Sequence, residues 1–470
     1  MKFKTTRWPL LNAGMIAAAF LSMCLLIYSP GPERYAHLYL LPLTFLITAF
    51  FMVNLYRDIF SEMSLLIIVC GYFIRMVVTP CLFCLGAYHS FFRVYPAQEI
   101  MLRSILWICY EHIVVMVVCR FRHRPCGPAR PLDLRSYDNT KVLGASCLLL
   151  LFLLAAYAAT PALEYVQPLF FQSSLTDSTN LFWDNESIVP RGGLARIIYS
   201  LFSFIWPIVR CILPVAALCF LLDRGRGRGG MYLSMLVLLT PFLFLGADSM
   251  GPIFADLLAI IFIVRVYGRR AKPVVTAGAL VAGLAVVAIV ATKIEGWKAW
   301  RGGSGISVIA QILNAYFPGF ENTAIMLCVD DPSRLESLFF DFYNAIPFKE
   351  TIFGFHGTYL VDLFAQAAGV EGQIVPFTAN IGHYTGIVLS PFVTAFIADR
   401  AMQMERRFKE TENYWGAFLC LAVSITSAMA IHMYSFSIYF RSLVNLCLPL
   451  MCLTALSRGR RYRIRWRISK

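Results

Sequence analysis

Two tripeptides of one kind, Arg191-Gly192-Gly193 and Arg301-Gly302-Gly303, stand in the two longest polar stretches of an otherwise apolar chain. Glycine lets a backbone approach a ligand closely, and a neighbouring guanidinium grips a phosphate through two parallel hydrogen bonds. Two such forks near an outer leaflet would hold a lipid-linked diphosphate. Either arginine alone also suits a lipid head group, with its Gly pair as a plain turn. Candidate bases lie nearby in sequence. His383 falls in Gln373 to Gly386, QIVPFTANIGHYTG, where the chain re-enters an apolar run. A neutral imidazole there is suited to take a proton from a sugar hydroxyl attacking an anomeric carbon. His356, between Phe355 and Gly357, is a rival, and Glu321, after an aromatic-Pro-Gly-Phe turn, supplies a carboxylate route. The bland alternatives are interfacial polar residues for the histidines and a solvated face for the acid.

Arg196 follows the first Arg-Gly-Gly, and Arg75 precedes a Thr79-Pro80 break. Both fall inside apolar runs, where a charge facing lipid is costly. Each therefore either lines a cavity that opens outward or pairs with an acid such as Glu99, Glu111, Asp248 or Asp256. No phosphate-binding Gly loop precedes a helix and no cysteine-histidine zinc spacing occurs, so neither a metal nor a cofactor is expected. Most of the 14 cysteines fall in apolar runs, and Cys81 and Cys84 read as small buried hydrophobes.

The elements that must position these residues are membrane helices. The chain of 470 residues is 59% hydrophobic and only 14% charged, and its apolar runs repeatedly reach the ~20 residues that cross a hydrocarbon core. Candidate spans fall near 9–29, 36–56, 61–86, 98–119, 142–160, 194–222, 231–246, 252–267, 274–292, 383–398, 414–433 and 436–456, about twelve in all. The net charge of +14 resides in short basic segments between spans, which explains it without nucleic acid. Lys2 to Arg7, Arg120 to Arg135, Arg224 to Arg228, Arg269 to Lys272, Arg400 to Lys409 and Arg458 to Lys470 all fall on one side, so both termini are expected in the cytoplasm.

The fold class expected is therefore all-α and polytopic, with two long external loops. Residues 1–292 hold nine spans and the loop 161–193. Residues 293–382 form an outer cap, 383–456 hold three spans, and 457–470 are a basic tail. Within the cap, apolar-periodic stretches at Ile306 to Tyr316, Leu335 to Ala345 and Tyr359 to Ala368 are punctuated by Pro318-Gly319, Pro347 and Gly354. Short interfacial helices are the expected result. Trp297, Trp300, Tyr316, Phe317 and Phe320 offer ring faces for sugars or serve as interfacial anchors.

About twelve spans, cytoplasmic ends, two large outer loops bearing Arg191 and Arg301, and the re-entry from Pro376-Phe377-Thr378 to Gly386 before a small-residue span resemble the Wzy-type oligosaccharide repeat-unit polymerases of O-antigen and capsule synthesis. The resemblance spans the whole chain in architecture. Residue by residue it carries over Arg191 and Arg301, and His383 is the nearer positional match to an outer-loop histidine of the related O-antigen ligases. It implies a bacterial inner-membrane enzyme. A growing glycan on undecaprenyl diphosphate would pass to the hydroxyl of a new lipid-linked repeat unit, with the lipid diphosphate leaving. Membrane lipid, a chain-length regulator and a flippase are the implied partners. A flippase with its charges along a central cavity, or a ligase serving another acceptor, are the alternative readings.

Overall fold

The computed structural model describes residues 8–51, 63–90, 92, 95–122, 139–159, 193–198, 304–317, 319–328, 390–410 and 414–433, with isolated positions besides. Among these residues every regular element is helical. In chain order they are α1 (Trp8–Tyr28), a 3-10 turn at Glu33–Tyr35, α2 (Leu40–Phe51), α3 (Met63–Phe73), a π turn at Ile74–Val78, α4 (Thr79–Leu85), α5 (Gln98–Arg122) and α6 (Asn139–Ala159). After them come α7 (Gly305–Tyr316), α8 (Phe320–Cys328), α9 (Ser390–Glu410) and α10 (Tyr414–Met433). Glu33–Phe51, Met63–Leu85, Gln98–Phe121 and Thr140–Ala159 are long and apolar enough to cross a membrane.

Apolar side chains line both the inside and the outside of this bundle. Leu148, Leu151, Phe20 and Phe50 are exposed, as lipid-facing positions require, while Ala19, Ala49 and Ala428 are buried among Leu41, Phe45, Val69 and Met101. Lipid tails are as apolar as leucine, so close packing holds such helices together, and small residues let the backbones approach. The pairs in contact include α1 with α2, α2 with α5, α3 with α10, α5 with α9, and α9 with α10.

Met63 to Leu85 runs as one rod despite Pro80. Proline has no N–H and its ring crowds the carbonyl four residues back, here that of Met76. The chain widens into a π turn over Ile74–Val78 just ahead of Thr79-Pro80 and then resumes as α4, so the expected break is a bulge within a continuous helix. Arg75 sits on that bulge.

The rod and α5 run antiparallel and define two ends. At one end, Ser64 Oγ meets Met402 Sδ at 3.1 Å, and the exposed Arg120 and Arg400 lie on the helices that end or pass there. At the other, α7 packs on α4 and α8 packs on α5. Ser104 of α5 donates to the Phe320 carbonyl, pinning the start of α8, and Gln311 Nε2 of α7 donates to the His89 carbonyl at 2.7 Å. These are the basic end and the capped end.

α7 starts where Ser304 Oγ accepts the Ser307 N–H at 3.2 Å, an N-cap bond. It stops one residue before Phe317, ahead of Pro318-Gly319, so the helix read from periodicity is present within a residue of its expected bounds. Gly86 admits it: a Cβ there would stand 2.9 Å from Ser307 Cα. α9 departs from expectation, since it continues to Glu410 instead of ending near 398. Pro391 suits a first turn, Ala401-Met402-Gln403-Met404-Glu405-Arg406 are helix formers, and a basic C-terminal half complements the helix dipole. The spans near 231–246 and 252–267, the cap stretches Leu335 to Ala345 and Tyr359 to Ala368, and the tail 457–470 lie outside the described residues, isolated positions apart.

Candidate functional site

Glu321 is the first acid of α8, and the packing of α8 on α5 sinks it into the capped end, where it is buried. Its Oε1 accepts a hydrogen bond from Tyr35 Oη at 2.8 Å. Oε2 accepts from Gln311 Nε2 at 3.5 Å and Asn314 Nδ2 at 3.4 Å, Ser90 also hydrogen-bonds the carboxylate, and Asn314 donates to Asn322 Oδ1 at 2.8 Å. Burial raises the Glu321 pKa from 4.5 to about 7, although the hydrogen bonds from Ser90, Tyr35 and Gln311 and the charge of Arg34 pull it down. A carboxyl poised near neutral pH both takes and returns a proton readily.

An aromatic wall surrounds this acid. Phe320 meets Phe83 edge-on at 5.4 Å and Tyr35 at 6.2 Å, and Tyr35 stacks on Tyr88 at 5.6 Å with an 18° interplanar angle. Phe320 is fully buried, so it is neither a sugar platform nor an interfacial anchor. Ala87 and Tyr88 both have φ of 56°, a left-handed conformation that non-glycine residues adopt at a cost. The Tyr88 hydroxyl donates to the Ser29 carbonyl, and its ring buttresses Tyr35. Arg34 lies beside them, its guanidinium 4.1 Å from the Tyr95 ring centroid and 4.8 Å from that of Tyr35.

A second polar group lies deeper, seven residues further along α5 than Ser104, or about 10 Å at the helical rise. Arg75 Nη1 donates to Glu111 Oε1 at 2.7 Å and to the Ile431 carbonyl at 3.2 Å, with both side chains buried. Tyr72 Oη donates to the same Oε1 at 2.9 Å. His112 Nε2 and Thr48 Oγ1 are 2.6 Å apart, and the rings of His112 and His432 stand 4.4 and 4.5 Å from the Tyr72 ring. Gly71 makes room for His432: a Cβ there would collide with the imidazole Cδ2. Five elements, α2, α3, the π turn, α5 and α10, are thus tied by one cluster.

Of the residues singled out in the sequence, Glu321 and Arg75 are placed in these two groups. The burial of Glu321 removes the solvated-face alternative, and Arg75 takes the ion-pair alternative with Glu111. Arg196 is half-buried on helical residues 193–198. His383, His356, Arg191 and Arg301 lie outside the described residues. Sequence reasoning passed over Arg34 and Tyr35, although a charged pair, Glu33-Arg34, in a short turn between two apolar runs was a visible signal. It also passed over His112 and His432. No family model matches the chain, and no curated protein or solved structure matches it either.

Proposed function

We propose that this chain is a membrane glycan polymerase that joins lipid-diphosphate-linked oligosaccharide units at the outer face of the bacterial inner membrane. In this reading about twelve spans place both termini and the basic end in the cytoplasm, and the capped end faces outward. The observation that carries it is Glu321, a buried carboxyl raised to about 7 where the cap helices meet the bundle. Glu321 is the base, as the carboxylate alternative to His383 and His356. Its carboxylate takes the proton of the acceptor hydroxyl as that oxygen bonds to the anomeric carbon, while the carbon–oxygen bond to the diphosphate breaks and the lipid diphosphate leaves as an anion. The proton then returns to water. Arg191 and Arg301 remain the proposed partners of the departing diphosphate.

A carrier for the same lipid-linked unit is the second reading, favoured by the buried Arg75–Glu111–His112–His432 group, since ionisable residues inside a membrane commonly mark transport paths. Purified protein in vesicles, given lipid-linked repeat units and no nucleotide sugar, separates the two. Longer glycan supports the polymerase. Unlengthened units moved across the bilayer support the carrier.

A further inference from the structure

We propose that Arg34 is the cation of an anion site at the capped end and that it holds a phosphoryl group of the substrate. This deepens the reading of Glu321 given above and rests on it. The 3-10 turn Glu33–Tyr35 joins the two first helices and aims adjacent side chains at two different tasks: Tyr35 turns inward to Glu321, and Arg34 stays half-buried between the rings of Tyr35 and Tyr95.

The rings fix the guanidinium without neutralising it. Its Nε is covered and lacks a hydrogen-bond partner. Neighbouring Glu33 is exposed and forms no ion pair with it. Glu321 acts on Arg34 through space, with Tyr35 between them in the hydrogen-bonded chain. The hydrogen bond of Arg34 to Tyr35 and the two rings hold the guanidinium in place, and a weakly hydrated, planar, pre-oriented cation of this kind suits a bidentate phosphoryl oxygen pair. Tyr95 is 56% exposed, so the guanidinium is reached from outside past that ring. Arg34 and Glu321 together supply what glycosyl transfer from a diphosphate needs, a cation for the leaving group and a base for the acceptor.

The same chemistry would recognise a phospholipid head group, and the test separates the two sources. Full-length protein in neutral detergent is titrated with sodium pyrophosphate while its unfolding midpoint is followed, and in a parallel series with phosphatidylglycerol. We expect a saturable rise with pyrophosphate, with apparent affinity weakened roughly tenfold or more in Arg34→Gln. Tyr95→Leu, which keeps the charge and removes the outer ring, should weaken it too, and it serves as the test if Arg34→Gln fails to fold. Equal pyrophosphate affinity in wild type and both variants would overturn the proposal. A response to phosphatidylglycerol alone would overturn the substrate assignment, leaving Arg34 a lipid anchor. Glu321-dependent elongation with pyrophosphate binding indifferent to Arg34 would sink this site and spare the polymerase. Arg34-dependent binding without elongation would do the reverse.

Discussion

Tyr35 and Glu321 lie 286 residues apart in sequence and meet through a 2.8 Å hydrogen bond. The bond ties the turn between α1 and α2 to the first residues of α8. With Ser104 on the Phe320 carbonyl and Gln311 on the His89 carbonyl, it makes the cap part of the bundle, where a membrane-surface flap would have been the simpler outcome.

Removing that donor should be felt in pH dependence more than in folding. Tyr35→Phe deletes a hydrogen bond that favours the Glu321 carboxylate, so the Glu321 pKa should rise further above about 7. The acidic limb of the elongation rate should move to higher pH, at a stability cost of about 1 kcal/mol. A pH–rate profile identical to wild type would detach Tyr35 from the proton-transfer group.

Stability and activity should run in opposite directions with pH. Burial raises the Glu321 pKa from 4.5 in the free side chain to about 7 in the folded chain, so the folded state holds this proton more tightly. That contribution, about 3 kcal/mol, is fully present below pH ~4.5 and is lost as pH rises through ~7. Activity needs the ionised form and rises over the same window. Thermal unfolding of wild type and Glu321→Gln between pH 4.5 and 7.5 checks this, and parallel curves for the two proteins would contradict it.

Local signals made much of the bundle legible. Apolar runs set Met63 to Leu85, Gln98 to Arg122 and Tyr414 to Met433 within a few residues, and the Ser304 and Pro318-Gly319 punctuation set α7. The lower part of α9 was read as a basic connection because hydropathy registers membrane depth, whereas helix continuation depends on propensity and on packing of Ala401 and Met402. Glu321 was legible as a candidate base beside His383 and His356, with a solvated face as its alternative, but its burial was not. What distinguishes it, Tyr35, Ser90 and the α5 face, comes from sequence more than 200 residues earlier, and no periodicity encodes that approach. Arg75 was legible as costly unless paired with an acid such as Glu111, but the π turn over Ile74–Val78 that carries it was not.

The buried ion pair predicts an asymmetry between single and double substitutions. Glu111→Leu leaves Arg75 buried without its carboxylate, and a loss of about 3 to 5 kcal/mol is expected. Arg75→Met combined with Glu111→Leu removes both charges and should cost far less than the single change. Chemical denaturation of the four proteins in detergent measures it, and simple additivity would show that the pair is uncoupled.

Gly71 and His432 should be coupled in the same way. A Cβ at position 71 would collide with the imidazole, so Gly71→Ala must displace α10 or the ring, at about 1 to 3 kcal/mol. His432→Ala should relieve most of that penalty in the double variant. An unaffected Gly71→Ala protein would mean that α10 does not approach α3 so closely.

The central claim is that Glu321 is the base, and it is tested most directly by single-turnover elongation with purified full-length protein, lipid-linked repeat units and no nucleotide sugar. A positioned base contributes about 10²- to 10⁴-fold, so Glu321→Gln, which keeps the shape and the acceptor toward Tyr35 but cannot take the proton, should slow elongation by that factor with substrate binding retained. Wild type should lose rate as pH falls through about 7 and the residual rate of Glu321→Gln should not. A Glu321→Gln protein that elongates at the wild-type rate with the same pH profile would contradict the account.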